Sequence, residues 1–218
     1  MSSPILQTPY YTVSIHKHVV VVIELTQDAT DATSDKRPSN IEKIVRDGTV
    51  NYYEEASPNT MNDWKKKLGK LLVDNVVKPQ MESWGDKFKY KAKSFILLDF
   101  PGNYKLYHHY KGDQHIPRKD TYLIGSEHVA QFRSPYEFFL HVKWLMEGKP
   151  LKPDSTPACG CCYCDTSVTQ SDISKRYNLG HISHKPKKKG RAPRPETAIP
   201  IPYKDYTKLN QSASTSAT

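Results

Sequence analysis

The stretch KDTYLIGSEHVAQFRSPYEFFLHVKWLM, residues 119–146, decides the fold. Thr121, Tyr122, Leu123 and Ile124 are β-branched or apolar and lie between Asp120 and Gly125, which suits a short strand. Ser134-Pro135-Tyr136-Glu137 then forms an S-x-x-E capping box with proline at the first helical position. Phe138, Val142, Leu145 and Met146, joined by Phe139, fall on one face at helical spacing, and Gly148 and Pro150 end the helix. Core packing accounts for Phe138, Phe139 and Trp144. Arg133 lies outside the apolar stripe, in the turn ahead of the helix, where a guanidinium can offer paired donors to a guanine edge. DNA is therefore the first partner to consider.

Outward from this stretch, residues 104–111 alternate Tyr104, Leu106, His108 and Tyr110 with Lys105, Tyr107, His109 and Lys111, the pattern of a half-buried strand. FILLDF, residues 95–100, predicts a buried strand closed by Pro101 and Gly102. Trp64, Leu68, Leu71, Leu72 and Val76 make one helix face with lysines opposite, and Val50–Tyr53 and the apolar run Val19–Leu25 predict further strands. Residues 26–40 read as a polar loop. The expected architecture is α+β: a small antiparallel sheet backed by one helix over residues 95–150, preceded by an α/β extension over 1–94. A cysteine-rich segment over 151–184 and a disordered, basic, Pro-rich tail over 185–218 follow.

The chain has 218 residues, a hydrophobic content of 37% and a net charge of +9. That apolar content is low for one compact globule, so disordered flanks are expected. Lys185, Lys187, Lys188, Lys189, Arg191 and Arg194 supply six of the nine net charges within ten residues that contain no acid. The segment suits phosphate contacts, a nuclear address, or both. The apolar run at Val19–Leu25 is interrupted by Glu24 and is too short to cross a bilayer. No membrane role is expected, and the start of the chain lacks a signal-peptide pattern.

All four cysteines fall in PACGCCYCD: Cys159, Cys161, Cys162 and Cys164. Disulfides in so tight a loop would be strained. Cys161 and Cys164 have C-x2-C spacing and Cys159 reaches the same ion, which points to structural zinc. Cys162 as fourth ligand would have to reverse direction from its neighbour. His181, His184 or a histidine of the folded body is the other source. No H-x-E accompanies the cysteines, and H-E-x-x-H, G-x-S-x-G and a phosphate-cradling glycine loop are missing, so no enzyme and no small-molecule substrate are expected.

Trp64–Leu72, FPGNYKLYHHYKG (100–112), DTYLIG (120–125), FRSPYEFFLHVKWL (132–145) and the cluster Cys159–Cys164 together resemble a methyl-CpG-binding-domain fold. The version they resemble is that of fungal transcription-silencing proteins of the cryptic-loci-regulator family. The resemblance implies a nuclear, DNA-binding accessory subunit, with DNA and chromatin-silencing complex subunits of the deacetylase or remodelling type as partners. In that fold two arginines read the two guanines and an aspartate steadies one of them; by motif position Arg133 matches the second arginine, Asp120 the aspartate and Tyr122 the tyrosine near the methyl group. His109 or Tyr110 stands where the first arginine would be, so weak or no methyl-CpG specificity is implied. Lys111 and Lys119, with Lys187, Lys188, Lys189, Arg191 and Arg194 of a degenerate AT-hook, complete the expected DNA contacts. The alternative is a protein-interaction scaffold on a degenerate DNA-binding fold.

Overall fold

The computed structural model describes residues 4–17, 19–85 and 94–179. The chain divides into a unit of Met1–His181 and a second of Ile182–Thr218. The expected tail contacts, His181, His184 and residues 185–218 lie outside the described residues. The described part is mixed α+β, with two four-stranded sheets and a few helices.

The first sheet contains β1 (Leu6–Gln7), β2 (Tyr11–His16), β3 (Val20–Leu25) and β6 (Ser94–Leu97) in that order. β2 and β3 form an antiparallel hairpin whose inward residues Val13, Val21 and Ile23 are fully buried, as period-2 alternation requires. β6 joins β3 in parallel, with Val21 opposite Phe95. The crossover between them contains α1 (Pro58–Leu72), a π-helical turn (Val73–Val77) and α2 (Lys78–Ser83). Ser57 caps α1 by accepting from the Thr60 amide at 3.4 Å, and Trp64, Leu68 and Leu72 bury its apolar stripe. Gly69 permits the contact with β6: a Cβ there would lie 2.5 Å from the Ile96 backbone. Lys66 and Lys67 point to solvent, and Lys65 pairs with Asp99 at 2.9 Å.

The second sheet is antiparallel, ordered β4 (Val45–Arg46), β5 (Thr49–Glu55), β7 (Lys105–Asp113) and β8 (Arg118–Ile124). Residues 105–124 therefore form a sheet, as their alternation predicts, and two of its strands come from residues 45–55. Phe132 extends the edge by exchanging 2.9 Å backbone hydrogen bonds with Leu123.

α3 (Pro135–Met146) is capped by Ser134, which accepts from the Glu137 amide at 3.2 Å. The Glu137 carboxylate accepts from the Arg133 amide at 2.8 Å, one residue ahead of the cap residue itself. α3 packs on α1 and is buried over more of its surface than one stripe, with Phe138, Phe139, Val142 and Leu145 at 0% exposure. Gly148, at φ +83, ends it. α4 (Gln170–Arg176) follows, with a full capping box at Thr169 and Asp172, and it packs through Ile173.

The 26–40 segment is irregular as expected, but it is not merely a surface loop. Ala29, Asp31 and Ala32 are buried within it. A carboxylate is stable there because it is fully hydrogen-bonded.

Candidate functional site

α3 places His141 at 0% exposure on the side that faces the cysteine hairpin. Its Nδ1 lies 3.5 Å from Cys159 Sγ, 4.0 Å from Cys161 Sγ and 3.7 Å from Cys164 Sγ. All four ligand atoms fall within 4.8 Å of one another. Tetrahedral zinc, with bonds of about 2.0–2.3 Å, has ligand-to-ligand edges of about 3.5–3.8 Å. The donor set therefore fits that ion. Four protein ligands would close the coordination shell of such an ion, as structural rather than catalytic sites do.

The opposite ring nitrogen is held equally firmly. His141 Nε2 donates to Asp31 Oδ2 at 3.3 Å. Asp31 also accepts from Ser126 Oγ at 2.6 Å and from the Tyr104 hydroxyl. Gly125 lets Tyr104 come this close, since a Cβ there would lie 2.6 Å from its ring. A carboxylate on the far nitrogen fixes the ring orientation and aims Nδ1 at the sulfurs, where it would ligate a metal ion once its proton leaves.

Without a cation the cluster shares protons, which a bound metal ion would displace. Burial would depress the His141 imidazole, but hydrogen bonds to Asp31, Cys161 and Cys164 lift it to about 10. Hydrogen bonds from Cys159 and Cys164 hold the Cys161 thiol far below the ordinary thiol range, while its partnership with Cys161 pushes Cys159 up. Burial raises the Asp31 carboxyl, but His141 outweighs it and holds the group well below the usual carboxylate range. A buried imidazole and sulfurs that share negative charge are what a divalent cation stabilises.

Cys162 is the correction. Its thiol lies 3.6 Å from Gln170 Oε1, away from the cluster. Neighbouring residues in this turn point their side chains to different sides, so Cys161 and Cys162 do not converge. A histidine of the folded body replaces it, and the sequence signal was its place on α3: an imidazole on a helix otherwise almost wholly apolar.

The second candidate feature is the outer face of the second sheet. Cross-strand pairing sets His109 opposite Asp120, Tyr107 opposite Tyr122 and Lys111 opposite Arg118, so these six share one face. Tyr53 and Asn51 of β5 lie beside His109 and Lys111. The His109 ring stacks on Tyr53 at 4.2 Å and 2°, and its Nε2 donates to Asn51 Oδ1 at 2.7 Å. Burial, then Lys111, keeps its pKa below the ordinary histidine value. His109 is thus a neutral, immobilised ring at pH 7.

Arg133 follows the fully buried Phe132 and is exposed, beside the end of β8 that carries Tyr122. Among the described residues, no carboxylate pairs with its guanidinium. Asp120, Tyr122, His109 and Lys111 share that face, while the charge of Arg133, in the bend after Phe132, is felt by the Tyr163 hydroxyl. Lys119 is not on that face. Alternation turns it to the opposite face, where its Nζ sits 5.5 Å from the Tyr110 ring centroid. Tyr110, for the same reason, stacks on Tyr52 at 5.0 Å on that opposite face.

Residues 95–164 match the family described as transcription-silencing protein, cryptic loci regulator Clr2. The Clr2-type segment runs from β6 through α3 to Cys164. It takes in all four cluster ligands and the face residues of β7 and β8, together with Arg133. Asp31 and β5 lie outside it, and the match covers less than half of the chain. Among solved structures, the chain is similar to "Structure of Clr2 bound to the Clr1 C-terminus". The similarity has 20% identity and a TM-score of 0.40, over 69% of this chain and 32% of that one. This chain thus spans about a third of the length of that relative. No curated protein matches the sequence. Among the described residues, no helix is long and apolar enough to cross a membrane.

Proposed function

We propose that this chain is a nuclear, chromatin-associated DNA-binding subunit of a transcription-silencing assembly, with a methyl-CpG-binding-domain-like unit and no chemistry of its own. One observation carries the reading: Arg133 is exposed, has no carboxylate partner among the described residues, and follows the bridge to β8 next to a sheet face that presents Asp120, Tyr122, Lys111 and Arg118. A rigid sheet that holds guanidinium and ammonium groups on one side suits a DNA major groove, where phosphate contacts set the register and arginine selects guanine. The Clr2-type match over residues 95–164 supports the silencing role and subunits of such an assembly as partners. The residues of the cysteine cluster would hold a structural zinc ion that pins the hairpin after α3 to the helix.

Methylated and unmethylated CpG duplexes should bind alike, because neutral His109 stands where the resemblance expects an arginine. The test is a titration of the full chain and Arg133→Ala against both duplexes at 50 and 200 mM salt. Arg133→Ala is expected to bind guanine-containing sites about tenfold or more weakly. Equal affinity of variant and parent at both salts would remove Arg133 from any reading role.

A protein-docking role is the second reading. It is favoured by Ile41, Ile44 and Val45, which stand 48–58% exposed at and beside the short edge strand β4.

A further inference from the structure

Tyr110 and Lys119, which strand register turns away from the outer face, form a feature of their own on the reverse side of the second sheet. Cross-strand pairing sets Tyr52 of β5 and Lys119 of β8 on either side of Tyr110, so the three cross the sheet in one row. The Tyr52 and Tyr110 rings stack at 5.0 Å and 13°, and the Lys119 ammonium lies 5.5 Å from the Tyr110 centroid. Tyr110 is therefore sandwiched. Among the described residues, no ring or cation stacks on the far face of Tyr52.

Helix cover stops short of this row. The first turn of α1 meets the reverse face at His108, whose Nε2 lies 3.5 Å from Thr60 Oγ1. Beyond His108, Tyr52 and Tyr110 are half-buried and Lys119 is exposed. Gly112 comes next on the same face, and a Cβ built there would meet nothing within 4 Å. The flank beside the Tyr110 ring is open.

We propose that this row binds single-stranded nucleic acid, with an unpaired base stacked on the far face of Tyr52 and Lys119 set on a phosphate. Every base has a π-face, so a tyrosine platform accepts bases with little regard to sequence, and an ammonium is a point charge for the backbone. Lys43 supplies a second exposed cation. It lies between Asn40, whose carbonyl accepts from the Tyr53 amide at 2.8 Å, and Val45, which pairs with Val50. That segment flanks β5 on the edge away from β7, so positive charge stands at both ends of the row. Glu54, opposite His108, is the acid beside Tyr52. Its repulsion directs phosphates away from α1 and toward Gly112. A duplex fits poorly, because its bases are stacked on one another and hide their faces. The site uses neither Arg133 nor the outer face, so it stands apart from the duplex-binding reading.

The experiment titrates the full chain by fluorescence anisotropy against labelled oligouridine and oligothymidine of about ten nucleotides, the scale of one such site. Salt is varied between 50 and 200 mM, and a duplex is titrated alongside. Tyr52→Leu and Tyr110→Leu should each weaken the oligonucleotide at least about fivefold, while Tyr52→Phe, which keeps the ring, binds like the parent. Lys119→Ala should lower the magnitude of the salt slope by about 0.7, and it tests the row independently if a leucine variant unfolds on a melting curve. All four variants should bind duplex like the parent. Binding of either oligonucleotide in this pattern supports the inference, and the tighter of the two names the sugar. If folded leucine variants hold the oligonucleotide as tightly as the parent, or if Tyr52→Phe loses it and Lys119→Ala keeps the parent's slope, the inference fails while the duplex reading stands. A parent that binds duplex but neither oligonucleotide overturns it as well.

Discussion

Cys161 and Cys162 are joined by one peptide bond, yet their sulfurs serve different neighbours. Cys161 is fully buried against His141, while Cys162 is partly exposed and lies near Gln170. Cys162→Ser is therefore expected to retain a metal ion under dialysis against a mild chelator, whereas Cys161→Ser loses it. Asp31→Asn keeps the shape of the side chain but removes the charge facing Nε2. It should weaken metal affinity roughly 10- to 100-fold, read by competition with a chromogenic chelator. Retention of metal by Cys161→Ser would place the ion elsewhere. C-x2-C spacing made Cys161 and Cys164 readable as a pair, because the distance between those residues is a local property. The fourth ligand was open between a cysteine and a histidine, since nothing local tells which imidazole folds back toward the hairpin.

At the scale of elements, α1 and β6 meet through a glycine. Gly69→Ala would add helix propensity of about 1 kcal/mol. It would also drive a methyl group into the Ile96 backbone, 2.5 Å from the position of the new Cβ. Overpacking of that kind costs about 1–3 kcal/mol, so the net effect is expected to be destabilising. Urea unfolding measures it, with the exposed Lys66→Ala as a helix control that should change little. A rise in the midpoint for Gly69→Ala would mean that α1 stands off the sheet. The elements themselves were largely legible. Period-2 alternation located β7 and β8, and the S-x-x-E box located the start of α3. α4 was missed although Thr169 and Asp172 carry the same kind of cap, because only seven residues follow and one buried Ile173 makes no periodic stripe.

At the scale of the molecule, the cluster ties three parts of the chain together: the 26–40 loop through Asp31, α3 through His141, and the hairpin through its cysteines. A metal bound at a hundred times its dissociation constant stabilises by about 2.7 kcal/mol. Each kcal/mol shifts the melting temperature of a domain this size by about 2–4 °C. Strong chelation should thus lower the melting temperature by roughly 5–10 °C, and readdition of zinc should restore it. An unchanged melting curve would mean that the cysteines hold no ion. By itself the amino-acid sequence determined the mixed α+β class, the strand–turn–helix around Arg133 and the metal-like cysteine spacing, since each depends on residues a few positions apart. Only the tertiary structure decided that β5 pairs with β7, that Lys119 turns away from Asp120's face, and that Asp31 meets His141 across 110 residues. Those outcomes depend on strand register and on burial of a charged group among distant partners, and local periodicity encodes neither.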